Sequence, residues 1–508
     1  MGKPKGPLGV KLEDHAISMA SIVYSQNRQV LRNRNVQRSD FTATESSDLT
    51  DGDFNAKGNE TGHGRQGKMT RVTTLPNGLR VVTESNPASH MATVCVSIDT
   101  GSRFETEETN GVAHFLEHMV FRGTSKRSGS DLDEEMENIG GELSGHTSRD
   151  KSLYIAKVMA GDVPKALDIL SDMLQNSTFD EKLIKDERNT IMDEFLELKT
   201  LLRTLVIAQP DDLIFDRLQE TAFQHTPLGR TVLGPPKNIM FMTKKDIQDY
   251  LSTHYTAHRM VISASGAVQH NDIVEQVNKM FTKLSTNPIT STQLVESEPA
   301  IFTGSEIRKR DDDKPFAHFG IVFKGASWTD PDSIALLVMQ TMLGSWDKAT
   351  DVGTHKGSQL AQMVGIDELA EHVRAVTGYF KEIGLFGVYV AAKPDSLDDL
   401  ASAIMQEISK LCYQVAEEDV IRAQNQLKSL LYKEQPTAVE IGRQLLCYGR
   451  RIPLAEFFAR IDAVDVATVK RVANKFIFDK DIAIAASGPV KLLPDYNWFR
   501  SRTSMLRY

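Results

Sequence analysis

The sequence is poor in cysteine and in long apolar runs. Its 508 residues include only three cysteines, Cys95, Cys412 and Cys447. So few and so widely spaced cysteines exclude a disulfide framework and a cysteine-type zinc site. No apolar stretch reaches the roughly 18 residues that a membrane-spanning helix needs. Any bound metal is therefore expected on histidine and carboxylate side chains.

The chain also lacks an excess of positive charge. It has 59 Lys and Arg against 68 Asp and Glu, which gives a net charge of -9. Nucleic acid is a poor main partner for a protein without a basic field. A basic ligand would suit this chain better, and we predict no nucleic-acid function.

The first 68 residues differ in composition from the rest. Residues 16–39 contain arginines and no acidic residue, with scattered apolar side chains, as is typical of an organelle transit peptide. Residues 40–67 are mostly small or polar and offer too little apolar surface to offset the entropy of folding. We predict a targeting extension over residues 1–68, with an ordinary disordered extension as the alternative.

Two stretches of the remaining chain repeat one order of elements. The first has a hairpin signal around Pro76-Asn77-Gly78, an alternating strand at 92–98, a glycine turn and a helical stretch at 111–121. The second has a strand at 317–323, a glycine turn and a helical stretch at 333–343. This repeat indicates an internal duplication.

The duplication predicts the fold class and the domains. We expect an α+β protein with two homologous α/β halves enclosing a cleft. Asn, Pro, Ser and Thr cluster where the halves would meet. The predicted units are a first half over 69–285, a linker over 286–297 and a second half over 298–508.

The chemistry of the first half lies in the helical stretch His114-Phe-Leu-Glu-His118. His114 and His118 at i and i+4, with Glu117 at i+3, leave one face of a helix. This is the inverted zinc-peptidase arrangement, in which the glutamate takes a proton from water. Random placement of 13 His and 68 acidic residues in this chain gives roughly 0.04 such matches. The alternative is a surface helix with a solvated glutamate.

A second acidic segment follows in the same half. Glu187 and Glu194 are seven residues apart, which places them two turns along one helix face. A carboxylate is a common third protein ligand of a catalytic zinc site. A solvated acidic face is the alternative.

With these residues in view, the chain resembles the pitrilysin-type metallopeptidase superfamily. Within it, the similarity is to the β subunits of mitochondrial processing peptidases and to the related core subunits of respiratory complex III. The similarity starts from the segment 114–124 and from Glu194, 76 positions after His118. It continues over nearly the whole chain from Met69 through the segments 147–150, 224–235, 303–308, 441–453 and 493–497.

The resemblance implies roles for five residues of the first half. His114, His118 and Glu194 would ligate one zinc ion per chain, Glu117 would be the general base, and Glu187 would be an accessory acid near the site. The first half is then the catalytic zinc-binding domain.

The second half lacks the corresponding residues. It has Leu336, Met339 and Gln340 where the superposed helix would need His, Glu and His. It is therefore expected to be inactive and to form the other wall of the cleft.

The resemblance also implies a substrate class. The family's substrates are presequences, which are positively charged, amphipathic and carry arginine close to the cleaved bond. Asp212 and Asp216 match the acids that would bind this arginine, and they lie one helical turn apart. Solvated helix acids are the alternative.

Two functions follow as expectations. In the first, the chain is the catalytic β-type subunit of a mitochondrial processing peptidase, paired with an α-type subunit and acting on presequence-bearing precursor proteins. In the second, it is a non-catalytic core scaffold of complex III. Some lineages combine both, so the implied location is the mitochondrial matrix or the matrix face of the inner membrane, with other complex III subunits as partners there. A soluble peptide-degrading relative outside mitochondria is a third, weaker alternative.

Two features depart from the family pattern. About eight extra residues stand around Thr200–Gln209, which displaces the acid pair relative to Glu194. The stretch Leu143-Ser-Gly-His146 replaces a typical Leu-Asn-Ala-Tyr in a strand expected to bind extended substrate through its backbone. His146 itself is expected to be a strand residue and not a metal ligand.

Overall fold

In the computed structural model, the described part of the chain comprises residues 70–204, 210–348, 357–433 and 437–504. The predicted extension over 1–68 lies outside it. Among the described residues, no helix is both long and apolar enough to cross a membrane.

The described residues form twelve strands. They are β1 (Thr70–Thr74), β2 (Arg80–Ser85), β3 (Met91–Ile98), β4 (Glu142–Thr147), β5 (Ser152–Met159), β6 (Met260–Gly266), β7 (Ser305–Arg310), β8 (Ala317–Gly325), β9 (Ser345–Asp347), β10 (His372–Tyr379), β11 (Gly384–Ala392) and β12 (Ile482–Gly488).

The described residues also form seventeen α-helices. In the first half these are α1 (Val112–Met119), α2 (Gly129–Asn138), α3 (Val163–Asn176), α4 (Glu181–Thr204), α5 (Pro210–Ala222), α6 (Pro236–Phe241), α7 (Lys244–His254), α8 (His270–Met280) and α9 (Ser291–Ser297). The second half contributes α10 (Ser333–Leu343), α11 (Gln359–Ile366), α12 (Leu397–Lys410), α13 (Glu417–Lys433), α14 (Ala438–Tyr448), α15 (Leu454–Asp462), α16 (Val466–Phe476) and α17 (Tyr496–Arg502).

The strands form two six-stranded sheets that share one order of five strands, with β1 added at one edge of the first sheet and β9 at the opposite edge of the second. The orders are β1-β2-β6-β3-β5-β4 and β7-β12-β8-β11-β10-β9. In each sheet one pair is parallel, β2 with β6 and β7 with β12, and the neighbouring pairs are antiparallel. The predicted duplication into two α+β halves is confirmed.

Local sequence signals explain several elements. Gly78 adopts a φ of 91° in the predicted hairpin turn, a conformation that favours glycine. Thr243 and Asp246 form a capping box that begins α7. The helix predicted at 333–343 has these bounds in the structure.

One helix of each half packs against the sheet of the other half. Ile214 and Leu218 of α5 pack in one apolar cluster with residues of the second sheet. In return, Ile441 and Leu445 of α14 pack against β2 and β6 of the first sheet. The two halves are duplicated in sequence, but they do not pack as separate units.

Glycines bring both exchanged helices close to the sheets. A Cβ atom on Gly442 of α14 would lie 2.5 Å from Ser97 Oγ and 2.9 Å from Ser263 Oγ. A Cβ atom on Gly320 of β8 would lie 2.4 Å from Leu218 Cδ1 of α5. Glycine at 442 and 320 therefore sets the depth at which each helix docks.

Ion pairs also join the halves. Arg103 donates both Nη groups to the carboxylate of Glu382, at 3.0 and 2.7 Å. Lys381 pairs with Asp99 at 2.7 Å. These pairs bridge residues far apart in the chain and fix the halves against each other.

The structure also bears on the predicted linker at 286–297. This segment includes α9, and the strands change from the first sheet to the second between Gly266 and Ser305. Because α5 and α14 each pack against the sheet of the other half, no single position in the chain separates the contacts of one half from those of the other. The domain limits therefore stay a prediction.

Candidate active site

Helix α1 places its histidines inside the first half. All eight residues of α1 are buried. The carboxylate of Glu105 holds the start of the helix, because it accepts hydrogen bonds from the backbone N–H groups of Gly111 and Ala113, at 2.8 and 2.7 Å. A carboxylate at this end also complements the helix dipole.

Glu105 is itself a strongly perturbed group. Burial raises the pKa of its carboxyl to about 7, although the Asn110 amide and the two backbone donors favour the anion. The buried carboxyl group of Glu105 therefore fixes the first turn of the helix that carries His114 and His118.

The predicted metal ligands converge. His114 Nε2 lies 3.2 Å from His118 Nε2, and His118 Nε2 lies 3.6 Å from Glu194 Oε2. Ligand atoms of the three residues all lie within 4.8 Å of one another, and this is the only such group among the described residues.

These separations fit a tetrahedral metal. Zinc bonds of 2.0–2.1 Å at tetrahedral angles place neighbouring ligand atoms about 3.3 Å apart. Two imidazoles and one carboxylate are also the donor set of a catalytic zinc site with one position left for water. The residues present therefore fit zinc.

Glu187 contacts the Nδ1 side of the His118 ring. Glu187 Oε1 lies 2.9 Å from His118 Nδ1, and Arg122 donates its Nε–H to the other oxygen of the same carboxylate. An acceptor at Nδ1 fixes the imidazole with Nε2 turned towards the metal position. Glu187 is almost fully buried, with 1% of its side chain exposed.

The charged groups around His118 shift the pKa values of His118 and Glu187 in opposite directions. Burial lowers the pKa of His118, but the hydrogen bond to Glu187 and the charges of Glu194 and Glu117 raise it above the ordinary value. Burial raises the pKa of Glu187, but the bonds from His118 and Arg122 bring it below the ordinary value. Glu187 is therefore held as an anion against the ring of His118.

Glu117 lies between α1 and the edge strand β4. It is buried, and a Cβ atom on Gly145 of β4 would lie 3.0 Å from Glu117 Cγ. Among the described residues, β4 is the last strand of its sheet and pairs only with β5. The free edge of β4 thus runs beside Glu117, where an extended peptide can pair with it. His146 lies in the same strand, as expected.

The equivalent helix of the second half has no such group. Leu336 and Met339 are fully buried apolar residues of α10. Gln340 accepts a hydrogen bond from Thr377 and donates one to the backbone oxygen of Ala375. The hydrogen bonds of Gln340 therefore connect α10 to β10.

The two predicted substrate acids lie in α5. Asp216 Oδ1 pairs with Arg149 Nη2 at 2.9 Å, and Arg149 also donates to the backbone oxygens of Asp216 and Leu228. The side chain of Asp212 lies outside the described residues, as does much of the inserted stretch Thr200–Gln209. Asp216 therefore has a structural contact that the sequence did not reveal.

Sequence reasoning missed two residues of this site. Arg122 lies in the segment 114–124 that carries the resemblance, but its partner Glu187 is 65 residues away, and no local pattern signals the contact. Glu105 lies six residues before Gly111. An acidic residue shortly before a helix is a weak signal for a cap, and it was the only one available.

Comparisons with known proteins agree with this geometry. The model of the family "Insulinase (Peptidase family M16)" matches residues 80–236, and "Peptidase M16 inactive domain" matches 242–427. The chain is also 59% identical over 443 residues to a probable mitochondrial-processing peptidase subunit beta of Arabidopsis thaliana, covering 86% of this chain and 82% of that protein. The chain belongs to peptidase family M16.

Other relatives place it within the β-subunit branch of the M16 family. The mitochondrial-processing peptidase subunit beta of Bos taurus is 42% identical over 433 residues, covering 84% of this chain and 86% of that protein. A chain of the structure "Complex III2 from Candida albicans, Inz-5 bound" superposes with a TM-score of 0.73 and 24% identity, covering 86% of this chain and all of that one. At this identity the likeness concerns the fold alone.

Membership of the M16 family has direct consequences. The chain carries the fold of a metallopeptidase, its site is built for a divalent metal, and its relatives are mitochondrial. The second matched model is described as inactive, which agrees with the missing ligands in α10.

Proposed function

We propose that this chain is the catalytic β-type subunit of a mitochondrial processing peptidase that removes N-terminal presequences from imported precursors. The observation that carries the proposal is the convergence of the buried His114 and His118 with the half-buried Glu194 at zinc-like spacing, with Glu117 beside them. A scaffold has no physical need for two imidazoles and a carboxylate arranged in this way.

His114, His118 and Glu194 would hold one zinc ion per chain. Bound zinc would polarise the scissile carbonyl and lower the pKa of water at the site. Glu117 accepts the proton of the attacking water at its carboxylate and later gives it to the leaving amine. The β4 edge holds the substrate extended, so that its scissile bond lies beside Glu117.

The proposed partners follow from the same assignment. The relatives are named as β subunits, and we propose an α-type subunit as the partner of this chain in the mitochondrial matrix. The fold likeness to a chain of a complex III structure supports, as a second candidate, a core role in complex III at the inner membrane. The intact ligand set favours a chain that keeps its activity in either setting.

Cleavage of a presequence peptide tests the proposed function. We expect the full chain, purified with its α-type subunit, to bind one zinc per chain and to cleave a peptide with arginine close to the cleaved bond. A chelator is expected to abolish cleavage, and one equivalent of zinc per chain is expected to restore it. Zinc binding without cleavage would favour the complex III scaffold, and no zinc binding would contradict the ligand assignment.

We further propose that Asp212 and Asp216 bind the arginine of the substrate. A charge-assisted hydrogen bond contributes about 1.5–3 kcal/mol. We therefore expect Asp216→Asn to raise KM by about 10- to 100-fold for the arginine peptide and to leave KM unchanged for a matched peptide with alanine at that position. Peptide cleavage rates measure both.

The matched control for Asp216 lies on the same helix. Glu220 pairs with Arg217 at the surface at 2.8 Å, and Glu220→Gln is expected to leave both KM values unchanged. An equal loss for both peptides in Asp216→Asn would show that the Arg149 ion pair, and not substrate recognition, explains the residue.

A further inference from the structure

Arg122 is the cation that contacts the buried acid behind the metal ligands. It follows α1 by three residues, and a quarter of its side chain is exposed. Its Nε–H donates to Glu187 Oε2, while Glu187 Oε1 lies 2.9 Å from His118 Nδ1. One carboxylate thus binds a guanidinium on one side and a metal ligand on the other.

Charge balance requires such a cation. The buried Glu117 and Glu187 and the half-buried Glu194 place three carboxylates around two imidazoles. A divalent metal compensates two of these charges and leaves one. Arg122 compensates the third at Glu187, the carboxylate on the Nδ1 side of His118, where an unpaired buried anion would be costly.

The two hydrogen bonds of Glu187 also restrict its side chain. Glu187 belongs to α4 and His118 to α1, so their hydrogen bond depends on how the Glu187 side chain is held. Arg122 Nε and His118 Nδ1 engage opposite oxygens, which removes the rotational freedom of the carboxylate. Arginine suits this task because its planar head presents a directed N–H, whereas lysine acts as a point charge.

We propose that Arg122 is a positioning residue of the metal centre, which acts through Glu187 to hold the His118 imidazole with Nδ1 as the donor and Nε2 facing the metal. The inference rests on the proposed zinc site. It assigns to Arg122 the retention of the metal, and no contact with the substrate.

Zinc release from the full chain tests this role. The zinc-loaded chain with its α-type subunit is mixed with a chromophoric chelator, and the rate of zinc release is followed. Loss of a residue that supports a ligating histidine weakens metal binding by roughly 10–100-fold, and we expect about 10-fold faster release from Arg122→Met. Arg122→Lys is expected to fall between Arg122→Met and the wild type.

A double-mutant cycle tests whether Arg122 acts through Glu187. In a Glu187→Gln background, we expect adding Arg122→Met to change the release rate by less than about 2-fold. The same 10-fold change in both backgrounds would overturn the proposal, as would unchanged release from Arg122→Met.

Control measurements distinguish failure of the proposed function from failure of the role assigned to Arg122. Lys126 lies four residues further along and pairs with Asp168 at the surface, so Lys126→Met is expected to release zinc at the wild-type rate. If the wild type takes up no zinc, the proposed function fails. If the wild type retains zinc and Arg122→Met retains it equally well, only the role of Arg122 fails.

Discussion

Glu117→Gln is expected to keep the zinc of the wild type and to lower kcat by about 10²–10⁴-fold, the usual contribution of a general base. Glutamine has the shape of glutamate and fits the narrow space against Gly145, but it cannot accept the proton of the attacking water. Because Glu117 is not one of the three converging ligands, metal content is expected to stay at one ion per chain. Elemental analysis and peptide cleavage measure the two quantities.

A surface acid provides the control for Glu117→Gln. Glu275 is an exposed residue of α8, where it pairs with Lys279 at 2.5 Å, and Glu275→Gln is expected to cleave at the wild-type rate. Retained activity in Glu117→Gln would show that another group is the base. Loss of zinc in that variant would show that Glu117 contributes to metal binding.

Gly442→Val is expected to lower the free energy of unfolding by about 3 kcal/mol, at the upper end of what overpacking costs. The new Cβ would overlap Ser97 Oγ and Ser263 Oγ. Ser263 cannot easily turn away, because its hydroxyl donates to the backbone oxygen of Ala438 at 2.7 Å. Helix α14 must then lift from the first sheet, and its apolar contacts with Val82 weaken. Urea unfolding of the zinc-loaded chain measures the change.

A second glycine isolates the effect of close packing. Gly161 is exposed, and a Cβ atom there would meet nothing within 4 Å. We expect Gly161→Val to change the free energy of unfolding by less than about 0.5 kcal/mol, as is usual for surface substitutions. Equal stability of the two variants would contradict the assigned role of Gly442.

Local patterns were sufficient for much of this fold and for the centre of the site. The hairpin at Gly78, the helix Ser333–Leu343 and the facing positions of His114 and His118 all depend on periodicity or turn chemistry within a few residues. The agreement between these predictions and the structure reflects the short range of the interactions involved.

The exchanged helices and the supporting contacts could not be predicted in this way. The apolar face of α14 requires a sheet to cover, but nothing in its sequence tells which sheet. The Arg149–Asp216 pair likewise joins residues 67 positions apart, and a pattern of charges does not reveal such a partner. Long-range pairing of this kind is decided by the tertiary fold.

The exchange of helices has a consequence for a nascent chain on the ribosome. The first sheet is complete once Gly266 has been made, but the helix that covers Val82 and Val261 begins only at Ala438. Helix α5, in turn, is made early and must wait for β12, against which it packs. Two apolar surfaces of the first half, the face of its sheet and α5, therefore stay uncovered until the second half is nearly complete. Both halves then finish folding together late in translation, and until that point these surfaces are open to aggregation or to chaperones.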